Sequence, residues 1–232
     1  NNAIKLIEEN YTELTGILPK NYHDLASSDS NLLANLIRIF NSDAVQQARG
    51  DVFGRIYEYF LMKFSMQGAG AQEGGEFFTP PSLVQLIVNF IKPNHGIVHD
   101  PACGSGGMFT QTAQFIKSVE NKSVNEAITV YGTEYKSNTV NLAKMNLAIN
   151  GIDGHIANFN SFYNDPHELV GKCDFVMANP PFNQKDWRGA NELIDDPRWR
   201  GYAVPPRSNA NYGWILNMAS KLSDNGVAGF LL

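Results

Sequence analysis

From residue 76 onward the chain alternates short apolar runs with segments of helical periodicity, and this limits the fold more than any other feature. The runs at 97–100, 129–133, around Ile156, 174–178 and 227–232 are short and bounded by polar, Gly or Pro residues, so they read as strands. Leu83, Leu86, Ile87 and Phe90 recur at helical spacing after Pro80-Pro81, and Pro93 stops that helix. Further helices are expected near 108–117, over 137–150 (Val140, Ala143, Leu147) and over 214–222 (Ile215, Met218, Ala219, Leu222). Strand–helix alternation of this kind implies an α/β fold, with a mostly parallel sheet and helices on both faces.

The segment up to about Met66 differs. Leu32, Leu33, Leu36 and Phe40 fall at helical spacing, as do Phe53, Ile56, Tyr57, Phe60 and Phe64, with Asp51 placed to cap the second run. Gly68, Gly70, Gly74 and Gly75 then read as a linker. The expected division is a helical N-terminal region with its linker over 1–75 and an α/β domain over 76–232. The chain opens without a methionine and stops inside an apolar strand, Gly229-Phe230-Leu231-Leu232. It therefore reads as a fragment whose sheet is incomplete at the C-terminus.

Composition excludes several classes. No apolar run approaches the ~20 residues of a membrane helix, and no basic-then-apolar leader opens the chain. Cys103 and Cys173 are the only cysteines and form no metal-binding pair, so a reducing cytoplasm is the expected compartment. His23, His95, His99, His155 and His167 are scattered without metal-ligand spacing; they read as surface or loop residues, and no metal is expected. The formal net charge of −5 argues against a chain that grips nucleic acid alone.

Ligands of such sheets bind beyond the carboxyl ends of the strands. There the first strand runs into Asp100-Pro101-Ala102-Cys103-Gly104-Ser105-Gly106-Gly107, whose glycines allow close approach to backbone N–H groups at a helix N-terminus. The second ends at Glu134, a carboxylate suited to a ribose diol. A dinucleotide fingerprint fits poorly, because Phe109 stands at the third glycine position and Glu134 lies too far on without an insertion around 117–128. Asp100 also puts negative charge where a pyrophosphate would come close. A cofactor with a sulfonium and an ammonium suits that acid better, which favours S-adenosylmethionine over NAD. The strand 174–178 closes on Asn179-Pro180-Pro181-Phe182. An amide oxygen, a rigid carbonyl and an aromatic face form a clamp for a flat ring bearing an amino group, as a flipped base requires.

Taken together, 100–107, Glu134 and Asn179–Phe182 resemble an amino-methylating DNA methyltransferase, specifically the modification (M) subunit of type I restriction–modification systems. Glu76-Phe77-Phe78-Thr79-Pro80-Pro81 is similar to that family's additional cofactor-binding motif, and Asp51-Val52-Phe53-Gly54-Arg55-Ile56-Tyr57-Glu58 resembles its N-terminal region. The resemblance implies a Rossmann-like S-adenosylmethionine-dependent methyltransferase sheet that acts on adenine N6 in double-stranded DNA. Phe78, Thr79 and Pro80 would line the methionine side of the cofactor, while Asp100, Ser105, Gly106 and Gly107 wrap it. Glu134 would hold the ribose. Asn160 sits where the family usually has an Asp near the adenine. Asn179 and the Pro180 carbonyl would accept from the target amino group, with Phe182 stacked on the base. Implied partners are a DNA specificity (S) subunit, a restriction (R) subunit and a second M copy. A methyltransferase of an RNA guanine or a protein glutamine, or a non-catalytic nucleotide-binding module, remain as alternatives.

Elsewhere plainer readings compete. Glu76 reads equally as a solvated charge. Near balance of charge makes 184–211 first of all a solvated loop, although Trp187, Trp199 and Pro205-Pro206 follow the clamp closely enough for the loop to cover a base or meet DNA. The aromatic positions before Met66 read as core packing, with a subunit interface as the alternative.

Overall fold

The computed structural model describes residues 2–22, 24, 27, 31–47, 52–67 and 79–232. Helices α1 (Asn2–Asn10), α2 (Leu32–Phe40), α3 (Asp43–Gln46) and α4 (Val52–Gln67) precede the sheet. There follow α5 (Pro81–Ile91), β1 (Gly96–Asp100), α6 (Gly107–Phe115), α7 (Val124–Ala127), β2 (Ile128–Glu134) and α8 (Ser137–Ile149). The remaining elements are β3 (Gly154–Asn158), β4 (Cys173–Ala178), α9 (Asn211–Lys221) and β5 (Leu222–Phe230). The five strands form one sheet in the order β3-β2-β1-β4-β5, and every neighbouring pair is parallel.

Local chemistry accounts for the element ends. Pro81 occupies the first turn of α5, where its missing N–H costs nothing, and Lys92 closes the helix in the left-handed region at φ 51°. Helix α6 runs on into a π-helical turn, Ile116–Glu120, before α7 leads into β2.

Side chains alternate across the strands and supply two apolar layers. On one face Val98, Val130, Ile156, Phe175 and Met177 pack with α5, α6 and α8 through Val84, Val88, Phe109, Ala143 and Leu147. On the other, Val176 and Ala178 meet Trp214 and Met218 of α9, together with Trp187, Trp199 and Ala210.

Three expectations need correction. The segment 184–211 is solvated only in part: Lys185, Asp186, Glu192, Asp195, Arg200 and Arg207 are exposed, but Trp187, Arg188, Trp199 and Ala210 are buried. His99 is buried in β1 and its Nδ1–H donates to the Tyr131 carbonyl at 3.0 Å; burial pushes its pKa down to about 4, so the ring is neutral. The helix expected after Pro80-Pro81 is present as α5, and its buried face is Val84, Ile87 and Val88, whereas Leu83, Leu86 and Phe90 are exposed, Phe90 by 79%. Phe53 and Phe60, among the aromatic positions read as core, are exposed, so core packing is not their role. Asp51 lies outside the described residues.

The layer above β1 and β2 is tight at Gly132, which faces Asp100 in the register. A Cβ there would lie 2.6 Å from Ile156 Cδ1, 2.9 Å from Cys103 Sγ and 3.1 Å from Phe109 Cε2. Gly132→Ala is expected to lower the unfolding free energy by about 1–3 kcal/mol through overpacking, measured by urea denaturation. An unchanged midpoint would mean that this layer has room to spare.

Candidate active site

The strand order turns at β1 and β4, since the chain fills β1, β2 and β3 to one side before returning for β4 and β5. A crevice opens beyond the carboxyl ends of strands at such a point. Asp100 ends β1, Glu134 ends β2, Asn158 ends β3 and Asn179 follows β4, so these polar groups share one edge.

The loop after β1 is held from several sides. Asp100 is 1% exposed, and its Oδ1 accepts the Ala102 N–H at 2.9 Å. Cys103 N–H donates to the Thr133 carbonyl at 3.1 Å, and Gly106 N–H to the Cys103 carbonyl at 2.8 Å. Gly104 N–H donates to Glu134 Oε2 at 3.1 Å, while Glu134 Oε1 accepts the Lys136 N–H at 2.9 Å. From α8, Asn146 Nδ2 donates to the Ser105 carbonyl at 2.8 Å. Gly106 adopts φ 82°, and a Cβ there would lie 2.9 Å from Leu147 Cδ1, so both backbone and space require glycine. A Cβ at Gly104 or Gly107 would meet nothing within 4 Å, and on that side the loop borders open space.

Burial pushes the Asp100 carboxyl up to about 8, against the pull of the Ala102 N–H, and the Glu134 charge adds to the rise. In the protein alone Asp100 therefore holds a proton at neutral pH, and a cation placed beside it would draw it back to the carboxylate.

Beyond β4, Asn179 is half-buried, Pro180 is buried, Pro181 is half-buried and Phe182 is 43% exposed. Leu231 N–H donates to the Ala178 carbonyl at 3.1 Å, so pairing with the last strand continues up to the clamp. Asn179 Nδ2 donates to Thr79 Oγ1 at 2.9 Å, which brings the segment before α5 to the clamp. The carbonyl of Pro80 accepts from Leu83 and Val84 N–H and starts α5, and Pro81 is the first residue of that helix. Glu76, Phe77 and Phe78 lie outside the described residues.

Asn160 Oδ1 accepts the Phe162 N–H at 3.0 Å, forming a turn that Ser161 Oγ ties to the Pro101 carbonyl. Asn160 is thus fastened beside the loop through its neighbour. The structure brings Thr79, Asp100, Ser105, Gly106, Gly107, Glu134, Asn160 and 179–182 to one edge.

Three features escaped the sequence reading. Tyr135, 73% exposed, and Phe159, 45% exposed, directly follow the polar ends of β2 and β3. Asn158 Nδ2 links those ends by donating to the carbonyls of Glu134 and Tyr135, at 2.9 and 2.7 Å. An aromatic residue just after a polar strand end was the available signal. Glu58 of α4 accepts from Thr110 Oγ1 at 3.1 Å and Gln111 Nε2 at 3.4 Å, bracing the helix that opens at Gly107. Finally, the segment after the clamp is built around Arg188, whose guanidinium donates to the carbonyls of Gly189, Glu192 and Pro205. Among the described residues, no group of three or more His, Cys, Asp or Glu could hold a metal ion.

The parallel sheet with its glycine loop after β1 has the Rossmann-like fold of S-adenosylmethionine-dependent methyltransferases. A class I methyltransferase of Listeria monocytogenes with that cofactor dependence superposes on 82% of the chain and 57% of its own, with a TM-score of 0.58 and 17% identity, a likeness of fold alone. The chain belongs to the N-6 DNA methylase family, whose model matches residues 48–232. It is 39% identical to the type I restriction enzyme HindI methylase subunit of Haemophilus influenzae, over 99% of this chain and 53% of that protein. It is also 39% identical to the MjaIX methylase subunit of Methanocaldococcus jannaschii, over 99% of this chain and 41% of that one. The chain therefore spans about half the length of these curated relatives, or less. The type I restriction–modification methyltransferase subunit of Streptococcus thermophilus matches with a TM-score of 0.67 and 25% identity, over 82% of this chain and 40% of its own.

The buried acid has a consequence for stability. A carboxyl whose folded pKa is raised favours the fold below its unfolded pKa of 3.8, and that contribution is lost as pH rises through about 8. His99 works in the opposite direction between about 4 and 6.5, so a variant comparison isolates Asp100. Asp100→Asn, which keeps the acceptor for Ala102, is expected to gain stability over the wild type as pH rises from 4 to 8. The gain should grow steadily with pH across that window in urea titrations.

Proposed function

We propose that the protein is the modification subunit of a type I restriction–modification system, which transfers a methyl group from S-adenosylmethionine to adenine N6 in duplex DNA. The observation that carries this reading is the sharing of one sheet edge by a buried acid with its glycine loop and an amide–proline–aromatic clamp. Membership of the N-6 DNA methylase family and the methylase-subunit relatives support it. In this reading 76–232 is the catalytic domain, 1–75 a helical region with a linker, and the compartment the cytoplasm.

The donor set fits the cofactor. Asp100, proton-bearing when buried alone, gains a carboxylate's interaction once a sulfonium or ammonium lies near, whereas a pyrophosphate would meet two acids, Asp100 and Glu134. Open space beside Gly104 and Gly107 admits the methionine portion. Ser105 and Gly106 continue that wrap, and Phe78 with Pro80 would close it. Each Glu134 oxygen takes one backbone N–H and keeps lone-pair capacity for a ribose hydroxyl. The adenine end would lie toward Tyr135, Phe159 and Asn160, with aromatic faces for stacking and an amide for its edge. When bound, the cofactor supplies an electrophilic methyl group on sulfur.

The protein's own part is orientation. The adenine amino lone pair is delocalised into the ring and nucleophilically weak. The Asn179 amide oxygen and the Pro180 carbonyl accept its two N–H groups, which favours a more tetrahedral nitrogen with its lone pair aimed at the methyl. Pro180 and Pro181 stiffen those acceptors, and Phe182 offers its exposed face to the flipped base. The amino nitrogen that takes the methyl group from sulfur would release one of its protons to solvent. No covalent bond to the enzyme is needed, and fixed dipoles with alignment supply the rate enhancement. A net charge of −5 leaves much of the grip on DNA to a specificity subunit, with a second modification subunit and a restriction subunit completing the assembly.

Labelled methyl transfer from S-adenosylmethionine to unmethylated duplex DNA, by the full-length protein with its specificity subunit, tests this reading. Asn179→Ala is expected to lower kcat roughly 10²–10³-fold, the usual loss when one preorganised dipole is removed. Labelling of RNA or protein but not DNA would overturn the assignment.

A further inference from the structure

The hydrogen bond between Thr79 and Asn179 joins residues 100 apart in sequence, and it links the segment before α5 to the end of β4. The strand fixes the backbone of Asn179, but not its carboxamide. That group turns about a terminal torsion with a broad, two-fold profile. One orientation offers the amide oxygen to a ligand, and the other offers the NH₂. A target amino group is a donor, so only the first orientation can accept from it.

In the structure Nδ2 donates to Thr79 Oγ1 at 2.9 Å, which sends Oδ1 to the side away from Thr79. Thr79 is itself well supported. It precedes a proline, which confines its backbone to extended conformations, and Pro80 starts α5 by accepting from Leu83 and Val84. Helix α5 in turn buries Val84 and Val88 against the sheet. Thr79 thus sits just before a helix that is anchored to the sheet.

We propose that Thr79 is a positioning residue for Asn179: its hydroxyl takes the amide N–H and turns the oxygen toward the amino group to be methylated. The inference rests on the methyltransferase reading above. It gives Thr79 a different task from lining the methionine side of the cofactor, and the two tasks separate experimentally. A residue that lines the cofactor acts on cofactor affinity, whereas one that orients the acceptor acts on the transfer step.

Thr79→Val removes the hydroxyl and keeps the branched shape; Thr79→Ser keeps the hydroxyl. In the full-length protein with its specificity subunit, T79V is expected to lower kcat roughly three- to tenfold, the effect of one neutral hydrogen bond, and T79S to restore it. The calorimetric Kd for S-adenosylmethionine should stay within about twofold of the wild type, and in an Asn179→Ala background T79V should change kcat no further. In the cofactor-free protein, T79V should speed hydrogen exchange of the Asn179 side-chain amide, read by ¹⁵N NMR. A raised Kd with unchanged kcat would overturn the proposal, as would additivity with N179A or an Asn179 amide indifferent to T79V. A wild-type protein that transfers no methyl group would instead strike the methyltransferase reading, and the amide measurement would still decide the contact.

Discussion

The Glu134 carboxylate at the end of β2 organises the site by holding two stretches of backbone at once. One oxygen takes the N–H of Gly104 in the neighbouring loop, and the other takes the N–H of Lys136 ahead of α8. Charge-assisted bonds of this kind are about twice as strong as neutral ones, and a half-buried acid screened from water makes good use of them. The loop has few side chains with which to hold itself, so its shape depends on what its neighbours grip. Asn146 takes the Ser105 carbonyl from below, Thr133 takes the Cys103 N–H, and Glu58 braces the helix beyond. The residue proposed to hold a ribose is thus also the anchor of the loop that would wrap the rest of the cofactor.

Much of this was legible in the sequence, for definite reasons. Each strand contains a short apolar stretch visible in the sequence. Strand β5 nevertheless begins at Leu222, well ahead of the run expected at 227–232, because Ser223-Asp224-Asn225-Gly226 carry no apolar signal. The candidate site residues of β1, β2 and β4 follow from what stands at the strand ends. Burial was less legible. The α5 sequence is apolar around nearly its whole circumference, so spacing marks a helix without saying which face goes inward. Leu83, Leu86 and Phe90 fit helical spacing as well as Val84, Ile87 and Val88 do, and only the sheet decides between them. His99 looked like one of several scattered histidines because its partner, the Tyr131 carbonyl, comes from another strand. The contact of Thr79 with Asn179 has no local signature either.

The segment after the clamp shows the same limit most clearly. Its charges nearly balance, and local reading makes it a solvated loop. Its two ends are instead laced together: Asn183 N–H donates to Asn211 Oδ1 at 2.7 Å, Ala210 N–H to the Gln184 carbonyl at 2.9 Å, and Asp186 N–H to the Arg207 carbonyl at 2.8 Å. Inside, the Trp187 indole N–H reaches the Pro206 carbonyl, and Arg188 satisfies carbonyls on both arms. The two terminal nitrogens of this buried guanidinium find acceptors on both arms, although its Nε has no partner, so Arg188 ties the arms of the segment together.

That shape bears on the clamp. Phe162 packs against both Trp187 and Trp214, with ring centroids 4.3 Å apart in each pair, and it sits two residues after Asn160. The turn near the adenine end of the proposed cofactor site and the segment following Phe182 therefore share one aromatic core. A clamp proposed to hold a flipped base gains from walls that need no ordering when the base arrives, since ordering costs entropy at the moment of binding. Packing Trp187, Trp199 and Ala210 of this segment into the second apolar layer during folding places that cost in folding rather than in binding. The residues it leaves exposed, Lys185, Arg200 and Tyr202 among them, stand on a fixed surface next to the clamp.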